Sequence, residues 1–396
     1  MMSYQAIKEY LVAVVERYQK AGKPEKSKML TEAVAVTRLS RKHLIRVLKL
    51  PKDVIAKKKS SGRKKKYDPE KLKPHIQFLW IQMERISARR MKVALVDWLP
   101  FYKAEAFTPQ VALWLDQMSA STLERFLRSI RASLAATHGL TTTPEGGPPS
   151  RYMKNKIPLN TFDQKIDRPG FMQSDTVAHC GTSTAGQYIN TITLTDIDST
   201  WTENRAIFSK KALEVRKQFV ELDQTLPFDL LAVNVDNGSE FLNTPMLQFM
   251  RGGHGGKPIT FTRSRPYKKN DNCYVEQKNF THVRELFGYE RMEDPSLVDL
   301  MNEIYRDFWN PLQNFFIPTF KLESKTRIGA RIVKKFGRPK TPYDRLMQSE
   351  HLSEERKEKL KNMKKELNPF RLKAEMEAKL KIFFELLRKS KTREAS

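Results

Sequence analysis

The chain has only two cysteines, Cys180 and Cys273, in 396 residues. That excludes a disulfide scaffold and points to a reducing compartment. Its seven histidines are scattered. None forms a spaced His pair beside a Cys-x-x-Cys motif, so a structural zinc site is not expected. Long apolar runs able to span a bilayer are missing, and the first residues, MMSYQAIKEY, lack a signal-peptide core. The expectation is a cytoplasmic protein with no membrane partner. Acidic residues are scarce beside basic ones: 45 Asp and Glu against 72 Lys and Arg, a formal net charge of +27. With a pI near 9.9, the balance implies a polyanionic partner. Nucleic acid comes first, an acidic membrane surface second.

What is present supports a folded chain. Hydrophobic residues make up 39% of the sequence, and the length allows two or more domains. Residues 4–20 alternate apolar and charged positions at helical spacing, and Ala21-Gly22-Lys23-Pro24 stops that helix. A helix over Met29–Val36, a break near Thr37–Ser40 and a second helix over Arg41–Leu50 follow. The second carries Arg41, Lys42, His43, Arg46 and Lys49 on its polar face. This is a helix-turn-helix pattern, whose second helix would lie in a major groove; the plainer reading is a helical hairpin with solvated lysines. Residues 1–56 are taken as an N-terminal DNA-binding domain. The linker 57–68 holds Arg63, Lys64 and Lys65 in a run without apolar residues, suited to tracking phosphates.

Residues 69–137 form a second helical block, punctuated by Pro69, Pro74, Pro100 and Pro109. In MSASTLERFLRSIRASL, Ser119 or Ser121 caps a helix that points Arg125 and Arg128 outward, a second DNA-reading helix or a plain packing helix. A connector rich in Gly, Pro and Thr occupies 138–164. From Gly170 the pattern becomes strand, strand, strand, helix, strand, helix, strand, helix. That is a ribonuclease-H-like order, a mixed sheet with helices on both faces. GQYINTITLTDIDS alternates, with Ile192 and Leu194 on one face and Thr191, Thr193 and Thr195 on the other. Residues 321–396 are a basic C-terminal region with strand-like pieces and charged helices split by Pro369.

Three acids stand out. In FDLLAVNVDNGSEF a short apolar run between Pro227 and Asn237-Gly238 delivers Asp236 to a strand end. In PGFMQSDTVAHCG, Asp175 ends another apolar segment. In SRPYKKNDNCYVEQKNFTHVRELFGY, Glu276 starts a helical stripe continued by Phe280, Val283 and Phe287, which would turn its carboxylate toward the packed face. A carboxylate at a buried strand end needs a partner. Two aspartates and a glutamate converging would suit Mg²⁺ or Mn²⁺. Individually each acid has a bland alternative: Asp175 as a turn cap, Asp236-Asn237-Gly238 as a turn, Glu276 as a surface residue.

The ordered set FMQSDTVAH, VNVDNGSEF and NDNCYVEQKN resembles the DDE triad of the retroviral-integrase superfamily, above all the integrase-core transposases of bacterial insertion sequences. The resemblance spans residues 165–320. The spacer from Asp236 to Glu276 is somewhat longer than in many members, and Asp271 and Glu240 are alternatives for the third acid. The resemblance implies a ribonuclease-H-like catalytic core. It also implies two Mg²⁺ or Mn²⁺ ions held by Asp175, Asp236 and Glu276. The activity implied is a DNA transposase that binds element ends, cleaves, and transfers 3′-hydroxyl ends into target DNA. Lys278, Asn279, Arg263 and Arg265 become candidate DNA contacts, joined by His179 and His282, with His179 equally readable as a core histidine. A bacterial, nucleoid-associated homo-oligomer on double-stranded DNA is expected. Two other readings are open: a domesticated, non-catalytic DNA-binding regulator, and a metal-dependent nuclease of the same fold.

Overall fold

The structure is a computed structural model describing residues 2–56, 66–134, 166–253, 256–265, 273–328 and 331–395. Arg63, Lys64, Lys65, Asp271 and the 138–164 connector lie outside the described residues. The chain divides into two compact units, Met1–Lys66 and Tyr67–Ser396.

In the first unit, helices α1 (Tyr4–Lys20), α2 (Lys23–Thr37), α3 (Arg41–Leu48) and α4 (Lys52–Ala56) follow one another closely. Ser3 and Ser40 cap α1 and α3 by accepting from the amides of Ala6 and His43. Arg38, in the left-handed region at φ 57°, ends α2 and makes the short break before α3. The second helix of the hairpin is therefore shorter than expected, and the first starts earlier, at a Pro24 suited to an opening turn. Leu11, Val15, Leu30, Ala33, Leu44 and Leu48 form this unit's own core.

The second unit opens with α5 (Pro69–Gln82), α6 (Ala88–Trp98), α7 (Pro109–Gln117) and α8 (Ala120–Leu134). Their apolar faces merge into the same core as the sheet that follows. The Trp98 indole donates to the Phe316 carbonyl at 3.2 Å, and Phe370 packs edge-on to Trp98 at 5.0 Å. Trp80, Trp98 and Tyr102 are buried, as core residues should be, whereas Phe101 is exposed.

The sheet comprises β1 (Phe171–Ala178), β2 (Ile189–Asp196), β3 (Thr202–Phe208), β4 (Ala232–Val235) and β5 (Thr260–Arg263), in the order β3-β2-β1-β4-β5. The β1–β2 and β2–β3 pairs are antiparallel; β1–β4 and β4–β5 are parallel. This is a mixed sheet of the expected kind. The tight β2–β3 turn is built by Asp196, whose carboxylate accepts from the Ser199 amide and hydroxyl and from the Gly170 amide. Each parallel pair needs a crossover. Helix Ala212–Thr225, with Val215, Phe219 and Leu222 buried on one stripe, supplies the first, and helix Thr244–Gly252 the second.

Every position of β2 is buried, including the threonines. The alternation holds, but neither face meets water. Thr191 bonds both His179 at 2.9 Å and the Tyr305 hydroxyl at 3.1 Å. Tyr305 sits in a helical run that spans 297–316 and covers β3. From it, the Asn302 and Asn314 side-chain amides each exchange two bonds with the β3 backbone, at Ala206 and Thr202. Those amides occupy the free edge of β3, which would otherwise be open to pairing.

The C-terminal region continues with a separate two-stranded sheet, β6 (Leu322–Ile328) and β7 (Arg331–Phe336), then helices Pro342–Gln348, Glu354–Glu366 and Pro369–Ala395. Leu360, Phe383 and Leu387 of these helices are buried, while Met363 is exposed. Among the described residues no helix is long and apolar enough to cross a membrane.

One glycine fixes where β1 and β4 begin. Gly170 has φ +106°, and a Cβ there would lie 2.3 Å from the Asp229 carbonyl oxygen. Its own carbonyl accepts from the Leu231 and Ala232 amides. Gly170→Ala should lower stability by about 2–4 kcal/mol. Gly252→Ala, in a helix with nothing within 4 Å of the added Cβ, should be neutral or slightly stabilising. Thermal unfolding followed by circular dichroism separates the two.

Candidate active site at the parting of two strands

Parallel pairing between β1 and β4 ends at Ser174↔Val235. The next residue on each strand is an acid: Asp175 and Asp236. β1 carries on in register with β2, while β4 leaves the sheet. Strand separation of this kind creates a crevice at the carboxyl ends of parallel strands. Asp175 is thus inside β1 rather than at its end, a correction to the expected placement; it is the partner strand that stops beside it.

The turn after β4 returns a third acid. The Asp236 carboxylate accepts from the Gly238 amide at 2.9 Å, which folds the chain back and brings Glu240 inward. Glu240 is buried, accepting from the Lys210 ammonium and the Thr176 hydroxyl, each at 2.5 Å. A Cβ on Gly238 would stand 2.6 Å from a Glu240 oxygen and 2.8 Å from an Asp236 oxygen, so both carboxylates converge on one point that a side chain would fill. Asp175 accepts from the Thr176 amide at 2.8 Å and the Asn279 side-chain amide at 2.6 Å.

Loss of water pushes the Asp175 carboxyl up to about 6, helped by the negative Glu240 and opposed by its hydrogen bonds. Loss of water also pushes Asp236 up to about 7, and here Asp175 and Glu240 both add repulsion. Glu240 moves the other way: burial is outweighed by Lys210 and by the Thr176 hydroxyl. Lys210 in turn is raised, because Glu240, Asp236 and Asp175 together overcome its desolvation. Among the described residues the site is three acids with one ammonium, and two of the acids keep their protons to higher pH than a free aspartate does.

The helical stretch 273–287 crosses this crevice. It begins α-helically over Cys273–Lys278, passes through a π-helical turn over Asn279–Arg284, and ends over Glu285–Phe287. The Tyr274 amide donates to Gln173 at 3.2 Å, and the Arg284 guanidinium to the Ala178 carbonyl at 2.9 Å, so the stretch is bolted to β1 at two places. The stripe facing the protein is Val275, Val283 and Phe287, with Asn279 between. Glu276 and Phe280 are exposed, which corrects the expected stripe by one residue at its start. The π turn inserts an extra residue per turn and shifts the phase, so a constant helical period extrapolates wrongly across it. Asn279, one turn beyond Glu276, is what touches Asp175.

The other expected site residues divide. Arg263 and the Asn237 side chain bond at 3.1 Å beside the acids, and Arg265 follows β5 half-buried. Lys278 lies on a different side of the helix from Asn279, its ammonium 3.2 Å from His282. Burial, with Arg90 and Arg345 nearby, lowers Lys278 to about 7. His179 is fully buried, bonded to Thr191, and lowered by burial to about 3; it is a neutral core histidine. His282 is likewise lowered by burial and packs against Trp309 at 5.8 Å. In the first unit Arg41 is turned back onto α2, bonding Thr31 and Ser27, while Lys42, Arg46 and Lys49 are exposed on α3. Ser119 caps α8, and Arg125 and Arg128 are exposed on it. Lys210 and Thr176 escaped the sequence reading. No sequence signal marks either; Ser209, just before Lys210, has a positive φ of 64° that its residue type does not announce.

Oxygen donors alone suit a hard divalent cation. The converging oxygens around Gly238, the two aspartates with raised carboxyls, and an Asn279 carbonyl oxygen that is buried without a hydrogen-bond partner all fit such an ion. Among the described residues, however, no group of three or more His, Cys, Asp or Glu is already in metal-holding geometry.

The raised aspartates have a consequence for stability. Their folded pKa values exceed the unfolded ones, so between about pH 4 and 7 the folded protein binds more protons than the unfolded chain. Rising pH through that window should lower stability. Asp236→Asn keeps the Gly238 contact but removes the charge. In the absence of divalent ions it should raise stability at pH 8 by about 1–2 kcal/mol and change it little at pH 4. Paired chemical-denaturation curves at the two pH values measure this; an equal effect at both would contradict the assignment.

No family model matches the chain. Among solved structures it is similar to the catalytic core domain of BIV integrase in crystal form I. The match has 21% identity over 46% of this chain and 96% of that one, with a TM-score of 0.28. It is 33% identical over 341 residues to the uncharacterized protein y4rM of Sinorhizobium fredii (strain NBRC 101917 / NGR234), covering 85% of this chain and 94% of that one. On that extent and identity, the chain belongs to the same family as y4rM.

Proposed function

We propose that the protein is an integrase-type DNA transposase, with Asp175 and Asp236 as ligands of a divalent-ion site. The observation that supports this most is the meeting of those two acids where β1 and β4 part, with carboxyls raised first by burial and then by neighbouring negative charge. The net charge of +27 supports a nucleic-acid substrate. Glu276 is the third acid in this reading. It lies exposed one turn before Asn279, on the helix whose Asn279 holds Asp175. Glu240, already bound to Lys210, serves as a counter-charge that tunes the aspartates rather than as a free ligand.

The chain's own residues supply orientation and charge. Asn279 fixes the rotamer of Asp175, Gly238 that of Asp236, and Lys210 keeps Glu240 ionised, so that its charge raises both aspartates. The chemistry supplied by Mg²⁺ or Mn²⁺ in such a site is activation of an attacking hydroxyl and relief of charge on the leaving oxygen. The exposed cations of α3, Lys42, Arg46 and Lys49, suit phosphate contacts of a helix-turn-helix, and those of α8, Arg125 and Arg128, a second DNA surface. Homo-oligomerisation on DNA follows from the need to hold two ends.

A second reading has one observation in its favour. Glu276 is solvent-exposed and outside the acid cluster, as it would be in a regulator that binds DNA without cutting it. Incubating the protein with Mg²⁺, element-end DNA and a plasmid decides. Joined products are expected; nicks without joining would indicate a nuclease, and neither a binder. Asp236→Asn and Glu276→Gln should each reduce joining at least about a hundredfold while end binding persists. Glu240→Gln should instead lower folding stability, because it breaks the Lys210 pair. Added Mg²⁺ should raise the melting temperature more at pH 8 than at pH 5, since at pH 5 it must displace protons, and the difference should vanish in Asp236→Asn.

A further inference from the structure

A cavity of about 450 Å³ lies on the other side of the helical stretch 273–287 from Asp175. Tyr274, Gln277, Lys278, Thr281 and Glu285 line it from that helix. Arg90 closes it from α6, and Phe320, Lys334 and Phe336 from the base of the β6–β7 hairpin. Its size is that of a small-ligand site and far too narrow for a duplex. Two features of its walls are unusual together.

The first is charge. Two of the wall's charged groups are neutralised by neighbours: Glu84 pairs with Lys373, and Lys321 with Asp198. Arg90, Lys278 and Lys334 make no ion pair among the described residues. Arg90 donates only to the Pro318 carbonyl and Lys278 only to His282. Glu285 is the single acid left to face them. Arg90 and Lys278 are half-buried, where a cation without an anion is costly and a phosphate would relieve it; Lys334 adds an exposed charge at the rim. The second is aromatic surface. Phe320 and Phe336 stand edge to face at 6.1 Å, and Phe336 is 53% exposed although it borders a cavity. Cations beside exposed rings are the combination that binds single-stranded nucleotides.

We propose that this cavity receives one unpaired nucleotide of the DNA end, its phosphate on Arg90 and Lys278 and its base against Phe320 and Phe336. The inference takes from the proposed function only that the ligand is DNA. It gives the β6–β7 hairpin a task, since two strands alone are marginally stable and a bound base would pack on their exposed apolar residues. Because Lys278 and Asn279 are consecutive on the helix, a nucleotide seated here neighbours the one presented to Asp175. Fraying of the duplex end would thereby set which phosphodiester reaches the acids.

The test is photocross-linking with the full chain in Asp236→Asn form, without divalent ions. The probe is a duplex ending in a two-nucleotide 3′ tail of 5-iododeoxyuridine. Adducts mapped by mass spectrometry should fall on Tyr274, Phe320 or Phe336. They should drop about tenfold in Phe336→Ala or Lys334→Ala, both at exposed positions that do not threaten folding, and when the tail is base-paired by a complement. Adducts confined to residues outside the cavity, or equal yields from paired and unpaired tails, would overturn the inference. Joining by the wild-type protein without cavity adducts sinks this proposal alone. Cavity adducts from a protein that never joins DNA sink only the transposase reading.

Discussion

Two carboxylates that cannot both ionise without help dominate this protein. They are placed side by side by sheet topology: β1 and β4 run parallel as far as Ser174 and Val235, and the next residue of each is aspartate. Nothing local demands acids there. A turn cap would tolerate one, but a pair held together beside Glu240 raises the energy of the ion-free protein at neutral pH. Such local instability makes physical sense where a cation is to be bound, because binding then releases protons and repulsion together.

The remainder of the second unit can be understood as support for that pair. The crossover Ala212–Thr225 starts just after Lys210 and so delivers the ammonium that pairs with Glu240. The asparagines on 297–316 seal the β3 edge of the sheet. The π turn in 273–287 lets one helix serve two surfaces, with Asn279 toward Asp175 and Lys278 toward the cavity. Helices α5–α8 share the core of the sheet, so the element that carries Arg90 is packed on the same core as the strands that carry the aspartates.

Much of this was legible in the sequence, for identifiable reasons. Short apolar runs bounded by Pro and Asn-Gly marked β4 and the turn at Gly238. Alternation marked β2, and the strand-helix order gave the mixed sheet. Helical spacing marked α1 and α3, Pro69 the start of α5, and a capping serine the start of α8. What was not legible depended on tertiary contacts. Alternation in β2 separated threonines from aliphatic residues but did not tell that both faces are buried, which the threonines allow because a tyrosine and a neighbouring threonine satisfy their hydroxyls. Periodicity placed Glu276 on the packed face, and a π turn, which leaves no composition signal, moved the stripe to Val275 and Asn279. Lys210 was indistinguishable from the many other lysines, and the left-handed Ser209 just before it is not announced by its residue type. Arg41 looked like a groove-reading residue, yet its guanidinium is spent on α2.

The most direct measurement is a carbon-13 NMR titration of the aspartate side-chain carboxyls, assigned with Asp175→Asn and Asp236→Asn and recorded with and without Mg²⁺. The account predicts two aspartates at this crevice that lose their protons only well above the ordinary carboxylate range in the ion-free protein, and that stay ionised to lower pH once Mg²⁺ is added. Independent titration of both near pH 4, unmoved by Mg²⁺, would contradict it.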